Sequence, residues 1–138
     1  MTEEPATGDA VEIVRRANDA FNRRDVDAWL SNFSREIVYR PVSTFTDSQE
    51  RRGLGAMRRF MEEWYDAWAD DYTTQTESVR EYGDVVIVLL RFSGHARASG
   101  VEVTGGIFQV IRFRDGQIVL VEDFTNRAQA LKAAGVSE

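Results

Sequence analysis

Apolar side chains recur every three or four residues in two segments of the first half of the chain, residues 11–21 and 57–68. This spacing places them on one side of a helix, so both segments are predicted to be amphipathic helices. Between them, Asp25 precedes a short apolar group and is a residue type that caps helix starts. Residues 36–42 are typical of a short strand ended by a proline, and residues 43–52 of a loop. The pattern predicts three helical segments with one strand between the second and the third.

The second half of the chain changes to the period of β-strands. Turn signals at "YGD" (82–84), "SG" (99–100) and "DG" (115–116) separate four β segments, which predicts an antiparallel meander. A last helix is predicted from Asn126, an N-cap residue type, to Gly135.

The turn at residues 115–116 allows a register to be worked out for the last hairpin. A two-residue turn pairs Arg114 with Gln117, and regular pairing from there places Phe108 opposite Asp123. One face then carries Phe108, Val110, Val119, Val121 and Asp123, and the other carries Ile107, Gln109 and Ile111. Both faces are largely apolar, so we expect helices on one and a second subunit on the other.

The preceding hairpin is predicted in the same way from the turn at residues 99–100. Its register pairs His95 with Thr104 on the outer face of the sheet, where a structural or interface role is expected. Gly105 and Gly106 suggest a bulge, which would bring Phe92 to the face of Asp123.

Composition and charge limit the classes of function. A chain of 138 residues with 43% hydrophobic content fits a single domain, with an ordered core over about residues 9–135. The net charge of −6 argues against nucleic-acid binding. The longest apolar run, residues 85–90, is too short to span a membrane, so a cytoplasmic location is expected. The chain has no cysteine and no visible cluster of metal ligands, and we expect neither a metal nor a cofactor.

The order of these elements resembles the SnoaL-like group of the nuclear transport factor 2-like superfamily. The resemblance lies in "FNRRDVDAWLSNFS" (21–34), Pro41 after the first strand, the glycines at 53 and 55, and "FRDGQI" (113–118). It implies an α+β fold of the cystatin-like type, a cone-shaped barrel in which a curved antiparallel sheet wraps over N-terminal helices. It also implies a mostly apolar pocket and a homodimer formed through the outer sheet face.

Members of this superfamily include ketosteroid isomerase, limonene epoxide hydrolase, scytalone dehydratase, polyketide cyclases and non-catalytic modules, so the fold does not decide the function. The base of ketosteroid isomerase falls by similarity on Arg40, a cation that cannot remove a proton. The catalytic acid of limonene epoxide hydrolase falls on Asp123 followed by Phe124, whereas its other two catalytic positions fall near Leu90 and Phe92.

Asp123 is the leading candidate for an acid/base group, because burial in an apolar cavity would raise its pKa towards the range useful for proton transfer. The alternative is a structural role, in which Asp123 forms an ion pair with an arginine or accepts hydrogen bonds from backbone amides near the start of the last helix. Tyr39 and Arg40 are the candidate partners: Tyr39 could donate a hydrogen bond into the cavity, and Arg40 could pair with Asp123 or with an anionic ligand. The predicted pocket-lining residues are Trp29, Phe33, Phe60, Trp64, Leu90, Phe92, Phe108, Val110 and Val121.

Two functions follow from these residues. In the first, the protein binds a small hydrophobic molecule and performs isomerase, cyclase, dehydratase or hydrolase chemistry through Asp123. In the second, it is a non-catalytic ligand-binding or dimerisation module of the same fold.

Overall fold

The computed structural model describes residues 4–5, 9–41 and 50–136. In chain order the elements are β1 (Glu4–Pro5), α1 (Asp9–Arg23), α2 (Val26–Leu30), β2 (Phe33–Arg40), β3 (Arg51–Arg52), α3 (Leu54–Ala67), β4 (Thr73–Tyr82), β5 (Val85–His95), β6 (Glu102–Arg114), β7 (Gln117–Phe124) and α4 (Arg127–Ala134). The predicted α+β class is confirmed, and the predicted helices and strands occur in the predicted order, with two additional two-residue strands, β1 and β3.

The strands form one sheet in the order β1-β4-β5-β6-β7-β2-β3. The predicted antiparallel meander runs from β4 to β7. Strand β2, however, pairs with β7 in the parallel direction, which the pattern of residues did not indicate. The predicted loop was wrong at Arg51 and Arg52, which pair with β2 as the short strand β3, and residues 42–49 lie outside the described part of the chain.

Helices α1, α2 and α3 pack on one face of this sheet. Asp25 caps α2 as predicted, because its carboxylate accepts a hydrogen bond of 3.1 Å from the Ala28 amide. The main core joins these helices to the sheet through fully buried side chains such as Ile37, Met61 and Val88. Burial of this apolar surface holds the helices on the sheet.

Helix α4 covers part of the opposite face. Asn126 accepts a hydrogen bond of 2.8 Å from the Gln129 amide at its start, and Gly135 ends it at φ 75°. A second core cluster forms here around Val110 and Leu131, with Phe108 packed against it. The chain's own last helix therefore covers surface that the sequence assigned to a second subunit. Homodimer formation stays a prediction.

A bulge in β7 makes the predicted register of the last hairpin wrong beyond the turn. Arg114 pairs with Gln117 as predicted, but the ladder shifts by one residue at Val119, so that Asp123 lies opposite Gln109 and not Phe108. Because neighbouring residues of a strand point to opposite faces, this shift moves Phe108 and Val110 to the outer face. Gln109 moves to the inner face with Asp123.

The β5–β6 hairpin also differs from its predicted register. His95 pairs with Glu102 and not with Thr104, because the connecting turn spans residues 96–101 rather than two central residues. The ladder is regular at Gly105 and Gly106, so the predicted bulge is absent there. A Cβ at Gly105 would lie 2.8 Å from the Phe92 ring, which shows that the ring occupies the space above this glycine.

No described helix combines the length and apolar character required to cross a bilayer.

Candidate functional site

A cavity of about 660 Å³ lies between the helices and the inner face of the sheet. Seven of the residues predicted to line a pocket contribute to its wall: Trp29, Phe33, Phe60, Trp64, Leu90, Phe92 and Val121. Tyr39 and Asp123 line it as well. The prediction was wrong for Phe108 and Val110, which the β7 bulge turns towards α4.

Asp123 is a buried carboxyl group on this wall, with 6% of its surface exposed. The Tyr39 hydroxyl donates to its Oδ2 at 2.5 Å, and Nε2 of Gln109 donates to its Oδ1 at 3.0 Å. Burial raises the pKa of Asp123 to about 6, although both hydrogen bonds favour the charged form and act in the opposite direction. The group can therefore lose and regain a proton near neutral pH.

The parallel pairing of β2 with β7 brings Tyr39 to Asp123. Tyr39 is the direct partner of Val121, two residues before Asp123 on the same face of β7. Burial raises the pKa of Tyr39 well above its usual value, and the nearby carboxyl group raises it further. The phenol consequently stays protonated and acts as a hydrogen-bond donor.

Gln109 is a member of this cluster that sequence reasoning missed. Regular pairing from the turn assigned it to the face opposite Asp123, and only the bulge at Val119 brings the two together. Val119 is neither glycine nor polar, so the sequence carries no local signal for the bulge.

Arg40 lies on the outer side of the sheet, and its predicted pairing with Asp123 was wrong. Its guanidinium bonds Glu50 at 2.8 Å and Glu122 at 3.0 Å, and 48% of its side chain is exposed. Arg40 and Tyr39 are adjacent on one strand, so their side chains must point to opposite faces. Because Tyr39 points into the cavity, Arg40 points away from it.

Aromatic rings form a continuous wall along one side of the cavity. Successive ring centroids lie 4.9 to 6.2 Å apart, within the range of favourable aromatic contacts. The wall consists of Tyr39, Phe60, Trp64, Trp68, Tyr72 and Phe92. Such a surface suits a flat apolar or aromatic ligand that reaches Asp123 with one end.

The cavity also has a few polar lining residues that were not predicted from the sequence. Arg51 and Glu63 line the cavity and form an ion pair at 3.2 Å. Thr76 has a buried hydroxyl group with no hydrogen-bond partner among the described residues. Burial raises the pKa of Tyr72, and the Asp123 carboxylate raises it further, so its phenol also stays neutral.

His95 lies apart from the cavity wall. Its ring bonds Asp71, and its other nitrogen lies 3.9 Å from Glu102, so both contacts are with carboxylates on the protein surface. The expectation that His95 faces away from the pocket agrees with these contacts. Within the described residues, no group of three His, Asp or Glu side chains is arranged as a metal site.

Replacing Tyr39 by Phe is expected to raise the pKa of Asp123 above its value of about 6, because the lost hydrogen bond favours the carboxylate. A pH titration of the Asp123 carboxyl carbon by NMR measures this shift. Tyr65→Phe is the matched control, since that hydroxyl donates to the Phe21 carbonyl. An unchanged pKa in Tyr39→Phe would contradict the contact.

The model of the SnoaL-like domain matches residues 14–121. The chain belongs to this family. The match spans the elements that build the cavity, from α1 to β7, and it ends two residues before Asp123. No curated protein matches the chain.

Solved structures with this fold resemble the chain over most of its length. A nuclear transport factor 2-like protein of unknown function from Burkholderia pseudomallei is 19% identical, with a TM-score of 0.77 over 91% of this chain and 97% of the other. A putative SnoaL-like polyketide cyclase from Jannaschia sp. CCS1 is 20% identical, with a TM-score of 0.75 over 100% and 99%. TerC, crystallised with polyporic acid, is 16% identical, with a TM-score of 0.76 over 91% and 97%. At these identities the likeness establishes the shared fold.

Proposed function

We propose that this SnoaL-like protein binds a small apolar or aromatic molecule in its cavity and transfers a proton to or from it through Asp123. The observation that carries the proposal is one buried carboxyl group, with a pKa raised to about 6, on the wall of an otherwise mostly apolar cavity. The polyketide cyclase name of one structural neighbour and the ligand of TerC are consistent with an organic molecule of this kind.

The proposed step is removal of a proton from a carbon next to a carbonyl group. The Asp123 carboxylate takes the proton, and the electron pair of the C–H bond moves into the carbonyl group to form an enolate. Return of the proton to another atom of the ligand completes an isomerisation. In a cyclisation, the enolate carbon instead attacks a second carbonyl carbon, and the alkoxide formed there takes the proton back from Asp123. Tyr39 positions the carboxylate and stays protonated throughout.

Hydrogen exchange on a simple ketone tests the proposal without knowledge of the natural substrate. β-Tetralone, an aromatic ketone with an acidic C–H, is incubated with the protein in deuterium oxide, and deuterium uptake is followed by NMR. We expect exchange above the buffer rate that rises with pH through about 6 and then levels off, because the base must be ionised.

Glu122→Gln is the matched control, because this neighbouring carboxylate lies on the outer face with Arg40. It should leave the exchange rate unchanged. Exchange no faster than in buffer, with β-tetralone bound, would contradict the proposed chemistry.

A non-catalytic binding module is the second candidate. The observation that favours it is that both oxygens of Asp123 already accept hydrogen bonds from protein groups, Tyr39 and Gln109. Each of these oxygens has a second lone pair, so Asp123 can still accept a hydrogen bond from a bound ligand. This candidate predicts binding of β-tetralone without exchange, and the same experiment separates the two.

A further inference from the structure

We propose that Arg51 recognises a carboxylate group on the ligand, and that the natural ligand is therefore an aromatic or polycyclic acid. This inference rests on the proposed function in one respect, since it requires that the cavity takes a ligand. It does not require that Asp123 performs chemistry.

The placement of Arg51 follows from the short strand β3. Arg51 is the direct cross-strand partner of Tyr39, and directly opposed residues project to the same face of a sheet. Both residues line the cavity. Tyr39 in turn bonds Asp123, so the cation, the phenol and the acid follow one another along the inner face.

The side chain of Arg51 is held at the cavity wall with 14% of its surface exposed. Its guanidinium carbon lies 5.3 Å from the centre of the Phe60 ring, which belongs to the aromatic wall. Glu63, one ion-pair partner of Arg51, is 66% exposed, and an exposed carboxylate gains little from such a pair. Glu63 can turn to solvent when a ligand carboxylate competes for the same guanidinium.

The charges of the cavity-lining residues indicate which kind of ligand group would bind. Among the described residues that line the cavity, Arg51 is the one cation. A guanidinium presents parallel N–H donors that match the two oxygens of a carboxylate, and this pairing is strongest where water is excluded. A planar acid anchored at Arg51 would lie along the aromatic rings with its neighbouring carbon atoms close to Tyr39 and Asp123.

The neighbouring arginine provides a matched control within the chain. Arg52 is 68% exposed and pairs with Glu50 at 2.7 Å. Adjacent residues of a strand face opposite sides, so Arg52 points away from the cavity while Arg51 lines it. The two variants remove the same charge one residue apart.

The test compares the binding of naphthoate and of its methyl ester, two aromatic probes that differ in charge, by quenching of the cavity tryptophans or by calorimetry. In Arg51→Gln we expect naphthoate to bind about tenfold more weakly or worse, with ester binding changed less than about twofold. Arg52→Gln should bind both probes as the unchanged protein does. Arg51→Lys should retain part of the preference for naphthoate, because it keeps the charge without the planar fork.

Equal weakening of both probes in Arg51→Gln would overturn the inference, since it would mean that Arg51 only packs on Phe60. Unchanged naphthoate affinity, or no naphthoate binding by the unchanged protein, would overturn it as well. If the proposed function fails while this inference holds, the result is different: the probes bind with the expected selectivity, and β-tetralone does not exchange.

Discussion

The Asp123→Asn variant is expected to lose the deuterium exchange of β-tetralone by about a hundredfold or more, while the ketone still binds. An amide in this position cannot take up a proton at neutral pH, and general acid–base groups typically contribute factors of about 10² to 10⁴ to a rate. The cavity wall keeps its shape, because asparagine nearly matches aspartate in size. A variant that exchanges at the original rate would exclude Asp123 as the base.

The same variant should change how stability depends on pH. The pKa of Asp123 is raised from 3.8 to about 6 by burial, so the folded protein holds this proton more tightly than the unfolded chain does. As the pH rises from about 4 to about 6, Asp123 ionises first in the unfolded chain, and the folded state loses stability relative to it. Above about pH 6 the full cost is present, on the order of 3 kcal/mol by linkage.

Asp123→Asn should therefore be more stable than the unchanged protein at about pH 8 and similar to it at about pH 4. Denaturant unfolding of both proteins at the two pH values measures this difference. Other acids with shifted pKa values, such as Asp71 and Glu50, are present in both proteins, so the comparison isolates Asp123. A less stable variant at the higher pH would mean that the two hydrogen bonds outweigh the cost of burying the charge.

Local rules were sufficient to predict most of the elements of this fold. The caps at Asp25 and Asn126 and the glycine that ends α4 are interactions between residues close in sequence, and each was found where expected. The pairing of Arg114 with Gln117 across the turn was predicted for the same reason. These interactions need no knowledge of distant parts of the chain.

The composition of the polar site depended on contacts between distant residues. A single extra residue at Val119 decided whether Phe108 or Gln109 shares a face with Asp123. Which face of the sheet Tyr39 and Arg40 point to depended on the parallel pairing of β2 with β7. Arg51 reached the cavity only because β3 pairs with β2. No residue type in these segments indicates such pairings.

Strand β5 lies very close to Tyr72, the residue just before β4, and this contact also joins residues distant in the chain. We expect a substitution at this contact to have a large effect. Gly94 is buried where this strand passes Tyr72. A Cβ at Gly94 would lie 2.5 Å from the Tyr72 Cα and 3.0 Å from its backbone nitrogen. Because these are backbone atoms, no side-chain rotation can relieve the overlap.

Gly94→Ala is therefore expected to destabilise the fold by about 3 kcal/mol or more, at the upper end of overpacking effects. Tyr72 would have to move, and its ring packs between Trp68 and Phe92 in the aromatic wall, so ligand binding should weaken together with stability. Denaturant unfolding measures the first effect and tryptophan quenching by β-tetralone the second. Gly55→Ala is the matched control: its Cβ would meet only the end of the Arg59 side chain at 3.7 Å, so alanine at this position in the first turn of α3 should not destabilise the protein. If Gly94→Ala stayed within about 1 kcal/mol of the unchanged protein, the strands could separate at little cost and the cavity wall would be less rigid than its packing implies.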